Sequence, residues 1–122
     1  MCVEPCDCVW FMTDSGRVPV KDFADGLSVR TRLKFLDVVD LLETHGRRLS
    51  EPHAKYVGDS IFELRFHGGE GNVRVLYFFY DGDTAVLTNG FVKKEAKLPQ
   101  REKALACERR KRYYERKSQR SI

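Results

Sequence analysis

The sequence predicts an α+β fold in which a small antiparallel sheet packs against two or three helices. Three short segments rich in β-branched and aromatic residues, at 60–66, 72–80 and 84–91, are separated by the glycine-bearing turns HGGEG and DGD. Helical patterns precede and follow these segments, at residues 28–46 and after Pro99. Because 122 residues can enclose one core but not two, we expect a single domain over residues 1–122.

The three central segments are the predicted strands of a meander. In the first, Phe62, Leu64 and Phe66 alternate with Glu63 and Arg65, which is the two-residue period of a half-buried strand. A fourth strand is predicted at residues 7–13, DCVWFMT, and it is expected to join the same sheet. The predicted sheet is therefore an N-terminal strand plus a three-stranded meander.

Arg74 is the polar exception in the middle segment, VRVLYFFY. An unpaired guanidinium in such an apolar strand would cost several kcal/mol, so Arg74 requires an anionic partner or an open cleft. Arg65 lies on the neighbouring strand, and Lys93, Lys94 and Lys97 follow the third strand. These residues predict a positively charged patch at one face of the sheet.

Helix signals account for most of the remaining chain. Pro19 suits the first turn of a short helix that Gly26 closes, and Ser28 is a plausible N-cap for the longest helix, which ends before Gly46. Residues 47–59 lack a clear period and are predicted to be a connecting loop. Apolar side chains at helical spacing predict the core-facing side of the long helix: Val29, Leu33, Leu36, Val38, Val39 and Leu42.

A basic helix is predicted over about residues 99–118, after which the chain becomes polar. Residues 1–92 carry 10 basic and 14 acidic side chains, whereas residues 93–122 carry 12 and 4, so the two parts contribute −4 and +8 to the net charge of +4. This asymmetry predicts an acidic partner, either a nucleic-acid backbone or an acidic protein surface.

Composition limits the class of protein. With 42% hydrophobic and 33% charged residues, and no apolar stretch of membrane-spanning length, the chain is expected to be cytoplasmic and to have no membrane partner. Cys2, Cys6 and Cys8 cluster without the paired spacing of a structural zinc site. We therefore expect no metal and no cofactor.

Three motifs carry a resemblance to a known family: ELR at residues 63–65, RVLY at 74–77, and GFVKKEAKLP at 90–99. In this order and spacing, the sequence resembles the phage-derived, HigB-like toxins of the RelE superfamily. The resemblance implies a RelE-like α+β fold, cleavage of mRNA on translating ribosomes, and neutralisation by a cognate helix-turn-helix antitoxin. It also implies that Arg65, Arg74, Lys93 and Lys94 are catalytic.

Thr88 and Asn89 depart from the expected hydrophobic and histidine pair, and Glu63 stands where relatives in the wider superfamily have lysine.

The chemistry of such an enzyme can be argued from the residues. A metal-independent ribonuclease must activate the ribose 2′-hydroxyl, stabilise the phosphorane and protonate the leaving oxygen. Arginines suit the phosphorane because their planar forks hold two phosphate oxygens, and candidates for proton transfer are Lys93, Lys94, Tyr77 and His67. The basic residues predicted to bind RNA around this site are Lys97, Arg101, Arg109, Arg110 and Arg112.

Structural roles remain open for the same residues. Arg65 could pair with Glu63 or Asp59, Arg74 could be the buried partner of a carboxylate, and Lys93 and Lys94 could be solvated charges. Three functions stay in view: an endoribonuclease toxin, a non-catalytic module that binds RNA or an antitoxin, and a structural phage protein.

Overall fold

The computed structural model describes residues 5–120, with the side chain of residue 120 left out. Its strands and helices follow one another along the chain as β1 (Asp7–Trp10), α1 (Pro19–Asp25), α2 (Val29–His45), β2 (Ala54–Gly58), β3 (Ile61–Gly68), β4 (Gly71–Tyr80), β5 (Thr84–Lys93) and α3 (Gln100–Arg120). A short 3₁₀ helix, Gly46–Arg48, follows α2. The predicted α+β class and the meander are confirmed.

The sheet differs from the prediction in two ways. Its five strands are ordered β1-β5-β4-β3-β2, and β1 pairs with β5 in the parallel direction, so the sheet is mixed rather than antiparallel. The predicted loop at residues 47–59 contains β2, which pairs antiparallel with β3. This edge strand was missed because it is short, it has Pro52 before it and Gly58 at its end, and its outward residues Lys55 and Tyr56 give no apolar period.

Helices cover both faces of the sheet. On one face α1 and α2 enclose the first core, and on the other face α3 covers the second. The first core includes Phe35, Val38, Leu42, Leu64, Val75 and Tyr77. The second includes Phe11, Ile61, Leu76, Phe78, Val86 and Ala106. Alternate residues of β4 therefore serve different cores, which explains why this strand is apolar on both faces.

Two predictions for α2 were partly wrong. With 17 residues it is shorter than α3, which has 21, and its core-facing side differs from the predicted one. Val29, Leu33 and Leu36 are 68%, 58% and 44% exposed. The buried stripe consists of Val38, Val39 and Leu42, as predicted, together with Thr31 and Phe35. Both stripes have helical spacing, and the second faces the sheet because the Phe35 ring packs between Trp10 and Phe66, with centroids 5.6 and 5.8 Å away.

The HGGEG turn between β3 and β4 is fastened to the start of α2. The Ser28 side chain caps the helix by accepting from the Thr31 backbone N–H at 3.2 Å. Glu70 of the turn accepts from the Ser28 backbone N–H at 2.6 Å and from the Thr31 hydroxyl at 2.5 Å. Gly68 passes so close that a Cβ there would lie 2.5 Å from Thr31 Cγ2. These contacts fix the end of the sheet at which β3 turns into β4.

Two cysteines at the start of the sheet, Cys6 and Cys8, pack against the first core. Cys2 lies outside the described residues, while Cys6 and Cys8 are free thiols. The Cys6 thiol donates to the Leu42 carbonyl at 3.3 Å, and burial raises the pKa of both thiols. Within residues 5–120, no group of three or more His, Cys, Asp or Glu side chains could hold a metal. Over the same residues, no helix is long and apolar enough to cross a membrane.

Candidate active site

Strand register places the two arginines of the sequence motifs side by side. Arg65 of β3 is directly opposite Arg74 of β4, so their side chains lie on the same face. The Arg65 side chain is 25% exposed and that of Arg74 is 10% exposed. Two guanidinium groups at this spacing repel one another and require a counter-charge.

Glu63 supplies that counter-charge from within the sheet. It is 2% exposed, and its Oε1 lies 3.4 Å from Arg65 Nε and 3.4 Å from Arg74 Nε. Its other oxygen, Oε2, is buried without a hydrogen-bond partner among the described residues. Each arginine therefore pairs with a carboxylate, and the same carboxylate, Glu63, serves both. Asp59, the alternative partner of Arg65, pairs with Lys103 instead.

Arg65 and Arg74 each have a further polar contact. Arg65 Nη1 is 3.8 Å from Glu51 Oε1, and Arg74 Nη1 donates to the Val73 carbonyl at 3.1 Å. Burial lowers the pKa of Arg74, the Glu63 carboxylate raises it, and the neighbouring Arg65 lowers it. Arg65 and Arg74 therefore share the buried Glu63, and Arg65 also has a second carboxylate, Glu51, beside it.

Both arginines border an open cleft of about 670 Å³. β2 begins opposite Leu64, so the last residues of β3 extend past it and leave space between the sheet edge and α2. The cleft is lined by Lys34, Asp37, Val38, Leu41, Glu51, Pro52, His53, Arg65, Phe66, His67, Asn72 and Arg74. Arg74 therefore has both of the features that its place in an apolar strand required, an anionic partner and an open cleft.

An imidazole lies on the rim of this cleft. His67 is exposed, and its Nδ1 is 3.0 Å from Asn72 Oδ1. Because an amide oxygen can only accept, Nδ1 carries the hydrogen in the neutral ring and Nε2 keeps a lone pair for a proton. The two-residue alternation along β3 places His67 on the same face as Arg65, and this alternation is the sequence signal that His67 lies beside the arginines.

The lysines predicted to be catalytic lie away from the cleft lining. Lys93 ends β5 and is opposite Asn72, one strand farther from His67. Lys94 and Lys97 are exposed in the segment that leads to α3. Arg65 and Arg74 are therefore adjacent, whereas the lysines lie at the end of β5 and beyond it, at the same end of the sheet.

Tyr77, a further candidate for proton transfer, belongs to the first core. It is 1% exposed, and its ring packs against Phe62 and Phe79 with centroids 5.5 and 5.6 Å away. Burial raises the pKa of its hydroxyl. Tyr77 is therefore a core residue and does not line the cleft.

The two departures from the family pattern hold α3 on the sheet. Asn89 is 4% exposed, and its amide nitrogen donates to Glu102 Oε1 at 3.0 Å. The hydroxyl of Thr88 donates to Asn89 Oδ1 at 2.7 Å and thereby fixes the orientation of that amide. Thr88 and Asn89 therefore support the start of α3 rather than the cleft.

Several basic residues of α3 are also engaged within the protein. Arg109 Nη1 donates to the Thr88 carbonyl at 2.9 Å, and Arg112 Nε lies 3.1 Å from Asp14 Oδ1. Arg116 donates to the same carboxylate oxygen, and hydrogen bonds from Arg116 and Arg112 lower the pKa of Asp14. Arg101, by contrast, has an 89% exposed side chain. The five residues predicted to bind RNA are thus unequal in their freedom to reach a ligand.

Comparison with known proteins places the chain in a family. No curated protein matches it. Residues 22–111, which span β2 to β5 and most of the three helices, match the family model described as "Phage derived protein Gp49-like (DUF891)". Since the match covers about three quarters of the chain, the protein belongs to this Gp49-like family, which is associated with the RelE toxin superfamily.

Proposed function

We propose that this chain is the HigB-like toxin of a type II toxin–antitoxin system, a metal-independent endoribonuclease that cleaves mRNA on the ribosome and is neutralised by a helix-turn-helix antitoxin. One observation carries the proposal. Arg65 and Arg74 are paired across adjacent strands at the wall of an open cleft, with the His67 imidazole on its rim. Membership of the Gp49-like family supports the same function.

The cleft residues suit cleavage of RNA through its own 2′-hydroxyl. His67 Nε2 would accept the 2′-hydroxyl proton while the 2′-oxygen bonds to phosphorus and the bond to the 5′-oxygen breaks, leaving a cyclic phosphate. Arg65 and Arg74 would hold the phosphate oxygens, on which negative charge increases in the transition state. Loss of one such donor costs about 10²–10³-fold in rate, and loss of a positioned base about 10²–10⁴-fold.

The lysines have a supporting role in this scheme. Lys93 lies opposite Asn72 at the same end of the sheet, and Lys94 is exposed just beyond it. From there they would neutralise phosphates that flank the scissile one, or Lys93 would protonate the leaving 5′-oxygen. The proposed catalytic residues therefore include Arg65, Arg74, Lys93 and Lys94.

A second function, a non-catalytic module that binds RNA or an antitoxin, is favoured by Glu63. This buried carboxylate already pairs with both guanidinium groups, and the Arg74 side chain is only 10% exposed. In that case the two arginines would serve chiefly to stabilise the sheet, and the basic surface would bind a partner without breaking a bond.

Mapping of mRNA 5′ ends after incubation with translating ribosomes distinguishes the two functions. The full-length protein should produce new ends, and Arg74→Ala and His67→Ala should each lower cleavage by about 10²-fold or more. Arg30→Ala is the matched control, because Arg30 is exposed on α2 and lies outside the cleft lining. Absence of new ends with folded wild-type protein would support the binding module. Equal cleavage by the wild type and all variants would support it too, because the ends would then come from a contaminating nuclease.

A further inference from the structure

A separate cavity of about 310 Å³ lies at the other end of the sheet from the cleft. It is formed where β2 and β4 end and β3 begins, and it receives side chains from both helical layers. We call it the aromatic–arginine cavity, after the residues that define it: Arg47, Tyr56, Phe62, Phe79, Arg110 and Tyr114. Its volume is at the lower end of the range for ligand sites, about 300–1,000 Å³.

Two rings of this cavity, Tyr56 and Tyr114, are partly exposed to solvent and pack against other aromatic rings. Tyr56 is 56% exposed and packs on Phe62 with centroids 5.0 Å apart, while Phe62 packs edge-on against Phe79 at 5.2 Å. Tyr114 is 38% exposed and packs against Tyr80 at 5.1 Å. An exposed ring held in place by half-buried neighbours is a platform on which a nucleobase can stack.

Two guanidinium groups lie over rings of the same cavity. The Arg47 guanidinium is 4.5 Å from the Phe79 centroid, and that of Arg110 is 4.8 Å from the Tyr114 centroid. Within residues 5–120 neither forms an ion pair with a carboxylate, and the buried Arg110 Nε has no hydrogen-bond partner there. Stacking on a ring leaves the donors at the edge of a guanidinium available to an anion.

The absence of acidic residues from this lining separates it from the two larger cavities. The cleft contains Asp37 and Glu51, and the cavity beneath α3 contains Asp14 and Glu108. In the aromatic–arginine cavity, the lining combines cations with aromatic rings and has no carboxylate. This composition favours a ligand that carries a negative charge and a planar ring in every unit, as a nucleotide does, over a peptide that offers only carboxylates.

We propose that the aromatic–arginine cavity is a second binding site for single-stranded RNA, in which a base stacks on Tyr56 or Tyr114 and a flanking phosphate is held by Arg47 or Arg110. Phe79 is five residues beyond Arg74 on β4, a separation of about 17 Å along the strand. The site is therefore distinct from the cleft. The choice of RNA rests partly on the proposed function, but binding here does not require that the chain cleave RNA.

Fluorescence anisotropy with a labelled 2′-O-methyl oligouridine of about 12 nucleotides tests the site, because this RNA cannot be cleaved through its 2′-oxygen. Tyr56→Ala in the full-length protein should weaken binding about 5- to 100-fold, and Tyr56→Phe should retain it. Arg47→Gln should reduce the slope of log K against log salt by about 0.7. Arg30→Gln is the control, since it removes one exposed charge elsewhere.

Two outcomes would overturn the proposal. In the first, Tyr56→Ala and Arg47→Gln bind the RNA within twofold of the Arg30→Gln control. In the second, a decaglutamate peptide displaces the RNA and Tyr56→Ala weakens both ligands equally, which would make the cavity a site for an acidic protein surface. Circular dichroism confirms folding of each variant, and if Tyr56→Ala is unfolded, Tyr114→Ala decides by the same criteria. Loss of mRNA cleavage with RNA binding intact would refute only the proposed nuclease.

Discussion

At the scale of single residues, Glu63 decides how the two arginines can act. A carboxylate that is 2% exposed cannot reach a substrate in the cleft, so it acts by holding Arg65 and Arg74 in place and by reducing their repulsion. The sequence predicted that Arg74 would require a partner or a cleft. It did not show that one carboxylate serves both arginines, because the burial of Glu63 depends on the packing of α3 over this face of the sheet.

Replacement of this carboxylate by an amide should separate its two effects. Glu63→Gln keeps the shape but leaves two guanidinium groups without their buried counter-charge, so we expect the free energy of unfolding to fall by about 1–3 kcal/mol. Inorganic phosphate should then stabilise the variant more than the wild type, because an anion in the cleft would replace the lost charge. Urea unfolding with and without phosphate measures both effects. Unchanged stability and equal responses to phosphate would show that Glu63 does not balance the pair.

The contact between Glu70 and the start of α2 makes stability depend on pH. Hydrogen bonds from the Thr31 hydroxyl and the Ser28 backbone N–H lower the pKa of Glu70 in the folded protein. A carboxylate with a lowered folded pKa stabilises the fold above its unfolded pKa of about 4.3, and the stabilisation is lost as pH falls through the folded value. The Tm difference between wild type and Glu70→Gln should therefore be constant at neutral pH and shrink below about pH 4. A difference that stays constant in acid would contradict this role.

At the scale of secondary structure, patterns along the chain predicted where helices and strands occur better than which side of each one is buried. The meander followed from strand periods and glycine turns, and α2 followed from its N-cap at Ser28 and its C-terminal Gly46. Two apolar stripes on α2 both fitted helical spacing, and only the packing of Phe35 against the sheet distinguishes them. The direction of β1 was likewise not encoded locally, since it depends on which neighbour, β5, the strand meets.

A matched pair of substitutions tests the assignment of the two α2 faces. Phe35 is fully buried, so Phe35→Ala should lower the free energy of unfolding by about 3–5 kcal/mol. Leu33, which is 58% exposed, should change it by no more than about 0.5 kcal/mol when replaced by alanine. Urea denaturation of both variants gives the comparison. Equal losses would mean that the helix presents a different face to the sheet in solution.

At the scale of the whole molecule, charge is concentrated in the last quarter of the chain but is not all available to a ligand. Arg112 and Arg116 are paired with Asp14, whereas Arg101 and Lys111 are exposed. Removal of residues 109–122 would not isolate this charge, because Tyr113 packs against Phe78 and belongs to the second core, and such a deletion would expose that core. The basic surface is therefore better examined by single substitutions.

Substitutions in α3 should change how RNA binding responds to salt. Arg101→Gln and Lys111→Gln each remove an exposed charge, so each should reduce the slope of log K against log salt by about 0.7 if that residue contacts a phosphate of single-stranded RNA. Asp14→Asn should have the opposite effect, because it removes the carboxylate that Arg112 and Arg116 share and leaves Arg112 with only Glu115, 3.8 Å away. Anisotropy titrations over a series of salt concentrations measure these slopes.

If the antitoxin rather than RNA covers α3, all three variants will keep the wild-type slope, while Arg101→Gln and Lys111→Gln will weaken neutralisation by the antitoxin. That result would assign the charge of this helix to partner recognition and leave substrate binding to the sheet.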